Sequence, residues 1–285
     1  MEIRMNNFKR TGAAAALVVG IIASLAACSS SETADVAADC TPDHVFSTIE
    51  SGTLTVGLTE IPPFSYTENG EATGIDVDIV NTFAEANCLT VNYEPLAYSA
   101  AVPSVESKRI DLTVGDWYRT AARAEIVNFS APNYLDEFSV ISESGITTVE
   151  GLIGNKVGTV DGYLWVDDLR TLLGSDLQVY PSSVELKQDI DAGRIDVGVD
   201  AYGTSLFNFS DSDYEITTVE PDERVLATVE AAQTGFPYTK DNTDMGVALD
   251  AVIAELHASG GMVEILESHG LPASAAEVGE PRLIE

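Results

Sequence analysis

After residue 50 the apolar residues of this chain fall into two alternating rhythms. Short runs rich in Val, Ile and Leu read as buried strands. Longer segments with apolar positions three or four apart read as amphipathic helices. Thr53 to Leu58 predicts a strand. Asp76 to Ala86 predicts a helix with Ile79, Val80, Phe83 and Ala84 on its inner face. Thr90 to Tyr93 and Ile110 to Val114 predict strands, with a helix between them over Ala100 to Ser107 that Pro103 breaks early. This β-α-β-α-β order implies a parallel, doubly wound sheet with helices on both faces.

After Tyr134 the rhythm restarts. Strands are predicted over Glu137 to Ser142, Lys156 to Val160, Leu177 to Tyr180 and Ile195 to Val199. A helical turn is predicted at Thr148 to Ile153, and helices at Tyr163 to Leu173 and Val184 to Ala192. Residues 224–235 read as an extended run. Met245 to Ala258 and Gly261 to His269 read as two closing helices, and the tail to Glu285 as loose. Upstream, Thr41 to Glu50 reads as a short helix at the domain edge.

Composition sets the class. A chain of 285 residues with 45% hydrophobic and 21% charged residues has room for two packed domains. A formal charge of -32 argues against nucleic acid and against adsorption to anionic lipid. It fits a soluble, monomeric, exported protein. Arg4, Lys9 and Arg10 precede an apolar run from Gly12 to Ala27, the grammar of a secretory signal. Leu25-Ala26-Ala27-Cys28 looks like a bacterial lipobox, which implies cleavage before Cys28 and a diacylglycerol on its sulfur. The alternative is a plain signal peptide with an incidental cysteine. Ser29 to Asp39 reads as a flexible tether. The remaining pair, Cys40 and Cys88, points to a disulfide in an exported protein, the alternative being two buried free thiols.

Candidate chemistry concentrates between Gly115 and Tyr134. Trp117 and Tyr118 put aromatics on a loop after a strand. Thr120 can cap a short helix, and Arg123 falls in its first turn. A guanidinium beside free amides at a helix start suits a small carboxylate. The plainer alternative is a surface arginine paired with Glu125. The histidines, His44, His257 and His269, lie far from this turn, and no HExxH, GxSxG or cysteine–histidine cluster is present. No metal site or cofactor is implied.

Together these segments resemble the bacterial extracellular solute-binding proteins of family 3, over roughly residues 50–271. Ser51 to Gly57 matches the opening strand, Pro62 to Tyr66 the following loop, and Gly74 to Asp78 a glycine-plus-two-aspartates signature. Ser107 to Asp111 matches a strand entry. Thr120 to Arg123 matches the carboxylate-binding turn, and Asn128 to Tyr134 the crossover. Gly193 to Asp196 and Ser259 to Gly261 match the second-lobe counterpart and the C-terminal helical hairpin.

The resemblance implies the type II periplasmic-binding-protein fold, two doubly wound α/β lobes joined by a two-strand hinge. Behind a signal peptide (1–27) and tether (28–39), lobe one would hold residues 40–132 plus 227–285, and lobe two residues 133–226. The hinge would lie near Asn133 to Glu137 and Arg224 to Val229. The implied function is a lipid-anchored binding protein at the cell surface or in the periplasm, not an enzyme. It would deliver a small polar amino acid or derivative to an ABC permease. Arg123, Thr120 and Tyr118 would take the carboxylate, with Trp117, Phe64 and Tyr163 as walls. Asp76 and Asp78 have a structural reading at a helix start.

One departure stands out. The family's ammonium-binding aspartate falls on Ala201, with Asp200 one residue earlier and expected to face the other way along a strand. Asp116 occupies a position that more often carries a small hydroxyl residue, and either aspartate could supply the missing carboxylate. Arg119 is expected to face solvent. The rival readings are a cyclohexadienyl dehydratase-like enzyme on the same fold and a ligand-sensing module.

Overall fold

This computed structural model describes residues 39–285. The expected signal peptide, the expected lipidation site Cys28 and the expected tether as far as residue 38 lie outside the described residues.

In β1 (Thr53–Leu58) every residue after Thr53 is buried, so the apolar run becomes a central strand rather than an edge. A hairpin of β2 (Tyr66–Glu68) and β3 (Glu71–Thr73) follows. Then come α1 (Ile75–Ala86), β4 (Thr90–Pro95), α2 (Tyr98–Glu106) and β5 (Leu112–Val114). Pro103 sits inside α2 rather than ending it, and the side chain of Ser104 donates to the carbonyl of Ala100 in that turn. A short α3 (Ala121–Ile126) and β6 (Asn128–Phe129) lead to the crossover strand β7 (Leu135–Asp136).

The second half runs through β8 (Phe138–Ser142), a 3₁₀ turn (Val149–Leu152), β9 (Val157–Val160), α4 (Val166–Leu173) and β10 (Leu177–Tyr180). It continues with α5 (Ser183–Asp191), β11 (Val197–Ala201), α6 (Tyr202–Phe209) and β12 (Glu215–Thr218). The chain returns through β13 (Ala232–Gln233) and β14 (Pro237–Tyr238) and closes with α7 (Thr243–Ser259) and α8 (Gly261–Ser268).

The strands form two five-stranded sheets, ordered β4-β1-β5-β14-β6 and β10-β9-β11-β8-β12. Both are mixed rather than purely parallel. β14 runs antiparallel to β5 and β6, and β8 runs antiparallel to β11 and β12. The late-returning strand β14 inserts into the first sheet because the chain re-enters that lobe from the other direction. β7 and β13 pair antiparallel as a separate two-stranded ribbon, Ala232 opposite Asp136. That ribbon lies where the chain passes between the two sheets, once in each direction.

Three expectations fail here. Thr41 to Glu50 forms no helix, because its amides donate away from the segment. Asp43 N donates to Ala86 O at 3.0 Å, His44 N to Asn87 Oδ1 at 3.1 Å and Ile49 N to Asp111 Oδ1 at 2.9 Å. Residues 224–229 are not the second hinge strand. Asp222 and Arg224 pair at 2.7 Å, and Leu226–Thr228 coils into a 3₁₀ turn, leaving the crossing to β13. The tail is not loose. Gln233 Nε2 donates to the carbonyls of Val278 and Glu280, both at 2.7 Å, and Ile284 N donates to Arg119 O at 2.9 Å. The tail's backbone is therefore satisfied by the hinge and by the α3 entry turn.

Cys40 and Cys88 are bridged, with Cα atoms 5.8 Å apart. The bridge ties the segment before β1 to the end of α1, where Phe46 also stacks on Phe83 at 5.5 Å. Replacing both cysteines with serine is expected to cost about 2–5 kcal/mol of stability, because the cross-link restricts the unfolded chain. Urea unfolding checks this, and an unchanged midpoint and slope would contradict it.

Candidate functional site

The site begins at the end of β5. Gly115 has φ +134°, and a Cβ there would lie 1.8 Å from Thr59 Oγ1, so only glycine lets the chain turn here. The next residue, Asp116, is held at φ 55°, an uncommon value for a side-chain-bearing residue. Asp76, at the start of α1, fixes both. Its Oδ2 accepts from Gly115 N at 2.8 Å and Asp116 N at 2.9 Å, and its Oδ1 accepts from Tyr134 Oη at 2.8 Å. Burial pushes the Asp76 carboxyl up, while those hydrogen bonds favour its charged form.

Thr120 caps α3 as its sequence context predicts, its hydroxyl accepting from Arg123 N at 3.1 Å. That bond occupies Thr120, which is buried and does not line the cleft. Arg123 then reaches across to the other lobe. It donates to Tyr118 O at 3.0 Å and to Gly162 O at 2.9 Å, and lies 4.9 Å over the Trp117 ring. Gly162 comes close to lobe one, since a Cβ on it would sit 3.0 Å from Ser99 Cα. Tyr98 stacks on Trp117 at 3.9 Å and meets Tyr163 edge-on at 4.9 Å. These aromatic contacts and the Arg123 bond hold the lobes against each other.

Among the described residues, Asp116, Arg123, Tyr118 and Tyr98 meet Tyr163, Trp165, Leu164 and Ala201 around a free volume of about 10 Å³. That is about the space of one water molecule. Tyr98 also borders a groove of about 350 Å³ between Pro95 and Ala97 on one side and Pro181 and Glu185 on the other.

Two of the predicted wall residues fall elsewhere. Phe64 is fully buried behind the cleft, stacked on Tyr134 at 5.4 Å. Trp117 backs Tyr98 and Arg123 rather than lining the cavity. Asp200 lies in β11 opposite Ser139, is 1% exposed, and its Oδ1 accepts from Tyr163 Oη at 3.0 Å and Ala201 N at 2.8 Å, while the neighbouring Ala201 lines the cavity. Arg119, expected in solvent, is part-buried and donates to Gln233 Oε1 at 3.0 Å and Arg282 O at 2.8 Å.

Sequence reasoning missed Asp136, placed only as a hinge position. It is buried and accepts from Tyr118 Oη at 3.1 Å and Gly203 N at 3.1 Å. Each of three buried carboxyls thus has its own tyrosine: Asp76 has Tyr134, Asp136 has Tyr118 and Asp200 has Tyr163. Burial pushes all three phenols up, so they stay neutral donors. Among the described residues Asp116 has no such donor, and its buried Oδ1 has no hydrogen-bond partner. Burial, with Asp136 beside it, drives its carboxyl well above the usual range.

Residues 54–272 match the bacterial extracellular solute-binding proteins, family 3. The chain is 28% identical over 226 residues to the L-cystine-binding protein TcyJ of Escherichia coli, covering 76% of this chain and 82% of that protein. It is 26% identical over 209 residues to the histidine-binding periplasmic protein of Escherichia coli, covering 70% and 79%. Its fold is similar to that of an ancestral arginine-binding protein solved with arginine, with a TM-score of 0.67 at 24% identity, covering 77% of this chain and 98% of that one.

The buried carboxyls set a pH dependence. Burial pushes Asp136 up to about 6 and Asp200 up to about 7, whereas an unfolded aspartate titrates near about 4. Between those limits the folded protein holds more protons than the unfolded chain, so stability falls as pH rises through about 6 to 7. Asp222, held down to about 2 by hydrogen bonds from Arg224, acts oppositely and only below about pH 4. The melting temperature is expected to fall between about pH 5 and about pH 8, and Asp200→Asn should flatten that fall. Identical slopes in the two proteins would contradict the assignment.

Proposed function

We propose that this chain, which belongs to the bacterial extracellular solute-binding proteins of family 3, is the substrate-binding component of an ABC importer for an amino-acid-like solute. The observation that carries the reading is Arg123. Its guanidinium stands at the junction of the two lobes, on an aromatic shelf, with no carboxylate partner among the described residues. Two of its five donors are used by backbone carbonyls, which leaves donors for a ligand carboxylate. Tyr98, Tyr163 and Trp165 supply apolar walls, and Asp116, Asp136 and Asp200 face the ligand's ammonium. A solute touching both lobes favours their contact, because only then does it meet Arg123 and Asp200 together.

The names of the relatives support an amino acid as the ligand class. The basic, apolar leader and Leu25 to Cys28 support export and a lipid anchor on Cys28. A loaded, closed protein would dock on a membrane permease. The acidic surface supports a monomer free of nucleic acid.

A second reading, acid–base catalysis of the dehydratase kind, draws on the raised carboxyls of Asp116, Asp136 and Asp200. It requires turnover of prephenate or arogenate to an aromatic product, and the transport reading requires none.

Calorimetry with L-arginine, L-histidine, L-lysine and L-cystine tests the site. Removing one partner of a desolvated charge pair costs about 2–5 kcal/mol. Arg123→Ala should therefore weaken binding at least about thirtyfold, at about 1.4 kcal/mol per tenfold. Arg170→Ala, on an exposed pair with Asp167, should bind as the unmodified protein does. Equal affinity in Arg123→Ala would refute the carboxylate assignment.

A further inference from the structure

The chain after residue 272 lies beyond the family match and runs back across the ribbon of β7 and β13. It attaches at Gln233, in β13 and 2% exposed. A side-chain amide has two donors and two acceptor positions. At Gln233 all four are used. Nε2 donates to Val278 O and Glu280 O, both at 2.7 Å, and Oε1 accepts from Arg119 Nη1 at 3.0 Å and Arg282 N at 2.7 Å. Glutamate at this place would lack the donors, and lysine or arginine the acceptors.

The tail is fastened on either side of Gln233 as well. On the lobe-one side Ile284 forms a parallel bridge with Thr120. Ile284 N donates to Arg119 O at 2.9 Å and Ala121 N to Ile284 O at 2.8 Å. Arg119 Nη1 also donates to Arg282 O at 2.8 Å. On the other side the Arg282 guanidinium donates to Ala231 O and pairs with Glu230 at 3.1 Å. Residues 230–231 lie on the chain's approach from the second sheet, whereas Arg119 to Ala121 lead into the helix that carries Arg123. Tyr118, one residue before Arg119, holds Arg123 by its carbonyl and lines the cavity. A bend of the ribbon that parts the lobes pulls these two sets of anchors away from each other.

We propose that residues 278–285 form a strap that holds the lobes in contact, with Gln233 as its positioning residue, so that the tail sets how long a solute is retained. Among the described residues no part of the strap lines the cavity, so its effect falls on opening rather than on which solute is chosen. A protein without the strap opens more readily and releases its solute faster, although every residue that touches the solute is unchanged. The retention part rests on the solute-binding reading above. The opening part does not.

Three variants test it: removal of residues 278–285, Gln233→Glu, and Ile284→Pro, which deletes one backbone bond near the end of the chain and leaves the rest of the strap in place. Small-angle X-ray scattering without added solute should give a larger radius of gyration in each than in the unmodified protein, with Arg170→Ala unchanged. Stopped-flow mixing with L-arginine, L-histidine, L-lysine and L-cystine reads release through the fluorescence of Trp117 and Trp165, the chain's two tryptophans, both beside the cleft. Release should be about tenfold faster with association nearly unchanged, because losing one or two hydrogen bonds moves an opening equilibrium by about that factor. A strap that served stability alone would lower the melting temperature and leave the scattering and the release rate of the folded variants as they were, and that result overturns the proposal. A larger radius with an unchanged release rate overturns the retention part. Where the shortened chain does not fold, Ile284→Pro decides by the same two readings. Binding by none of the four solutes counts against the solute-binding reading, and scattering alone then decides the strap.

Discussion

Asp76 is the junction on which this molecule is assembled. One buried carboxylate gathers the start of α1, the turn after β5 and the crossover at Tyr134. Each of its bonds is to a group that would otherwise be an unpaired donor inside the protein. The same helix start receives help from the Pro63–Phe64 loop, whose carbonyls accept from Ile75 N and Asp76 N. Losing the carboxylate would release the β5 turn and with it the position of Asp116. Breaking such a buried hub costs far more than breaking a surface pair, because partners are stranded without water.

From that junction the cleft follows. The β5 turn places Asp116, and four residues on, Thr120 starts the helix that carries Arg123. The hinge ribbon brings Asp136, and the end of β11 brings Asp200. Aromatic rings fill the rest, with Tyr98 reaching Tyr163 and Tyr118 reaching Trp165 across the lobe boundary. The result is an excess of buried acid over base in a narrow space. Such an excess is costly unless protons or a cationic group offset it, which is why the site's chemistry points to an amine.

The sequence made the regular parts of the fold legible and left the irregular parts obscure, for physical reasons. β1, β10 and the closing helices have enough apolar periodicity to be placed nearly to the residue. β6, β7, β13 and β14 are two residues each, too short to carry any period, and their pairing comes from distant chain. The tail reads as loose because its order comes from Gln233 and Arg119, whose contacts lie far away in sequence. Arg123 and its cap were legible because a threonine three residues before an arginine is a local signal. Asp136 was not, since its place in the chain gives no hint that it meets Tyr118 and Gly203. The hydrogen bond from Tyr163 to Asp200 was not legible either, since the two residues lie far apart in sequence.

The most direct measurement is a thermal-shift comparison of each L-amino acid with its Nα-acetyl derivative and its decarboxylated amine. A free amino acid at a hundredfold excess over its dissociation constant should stabilise the protein by about 2.7 kcal/mol. The amine should retain part of that effect, and the acetylated form should lose it, because a neutral amide leaves Asp116, Asp136 and Asp200 without a cation. Stabilisation by an Nα-acetyl amino acid equal to that of its parent would contradict recognition of the ammonium by these buried aspartates.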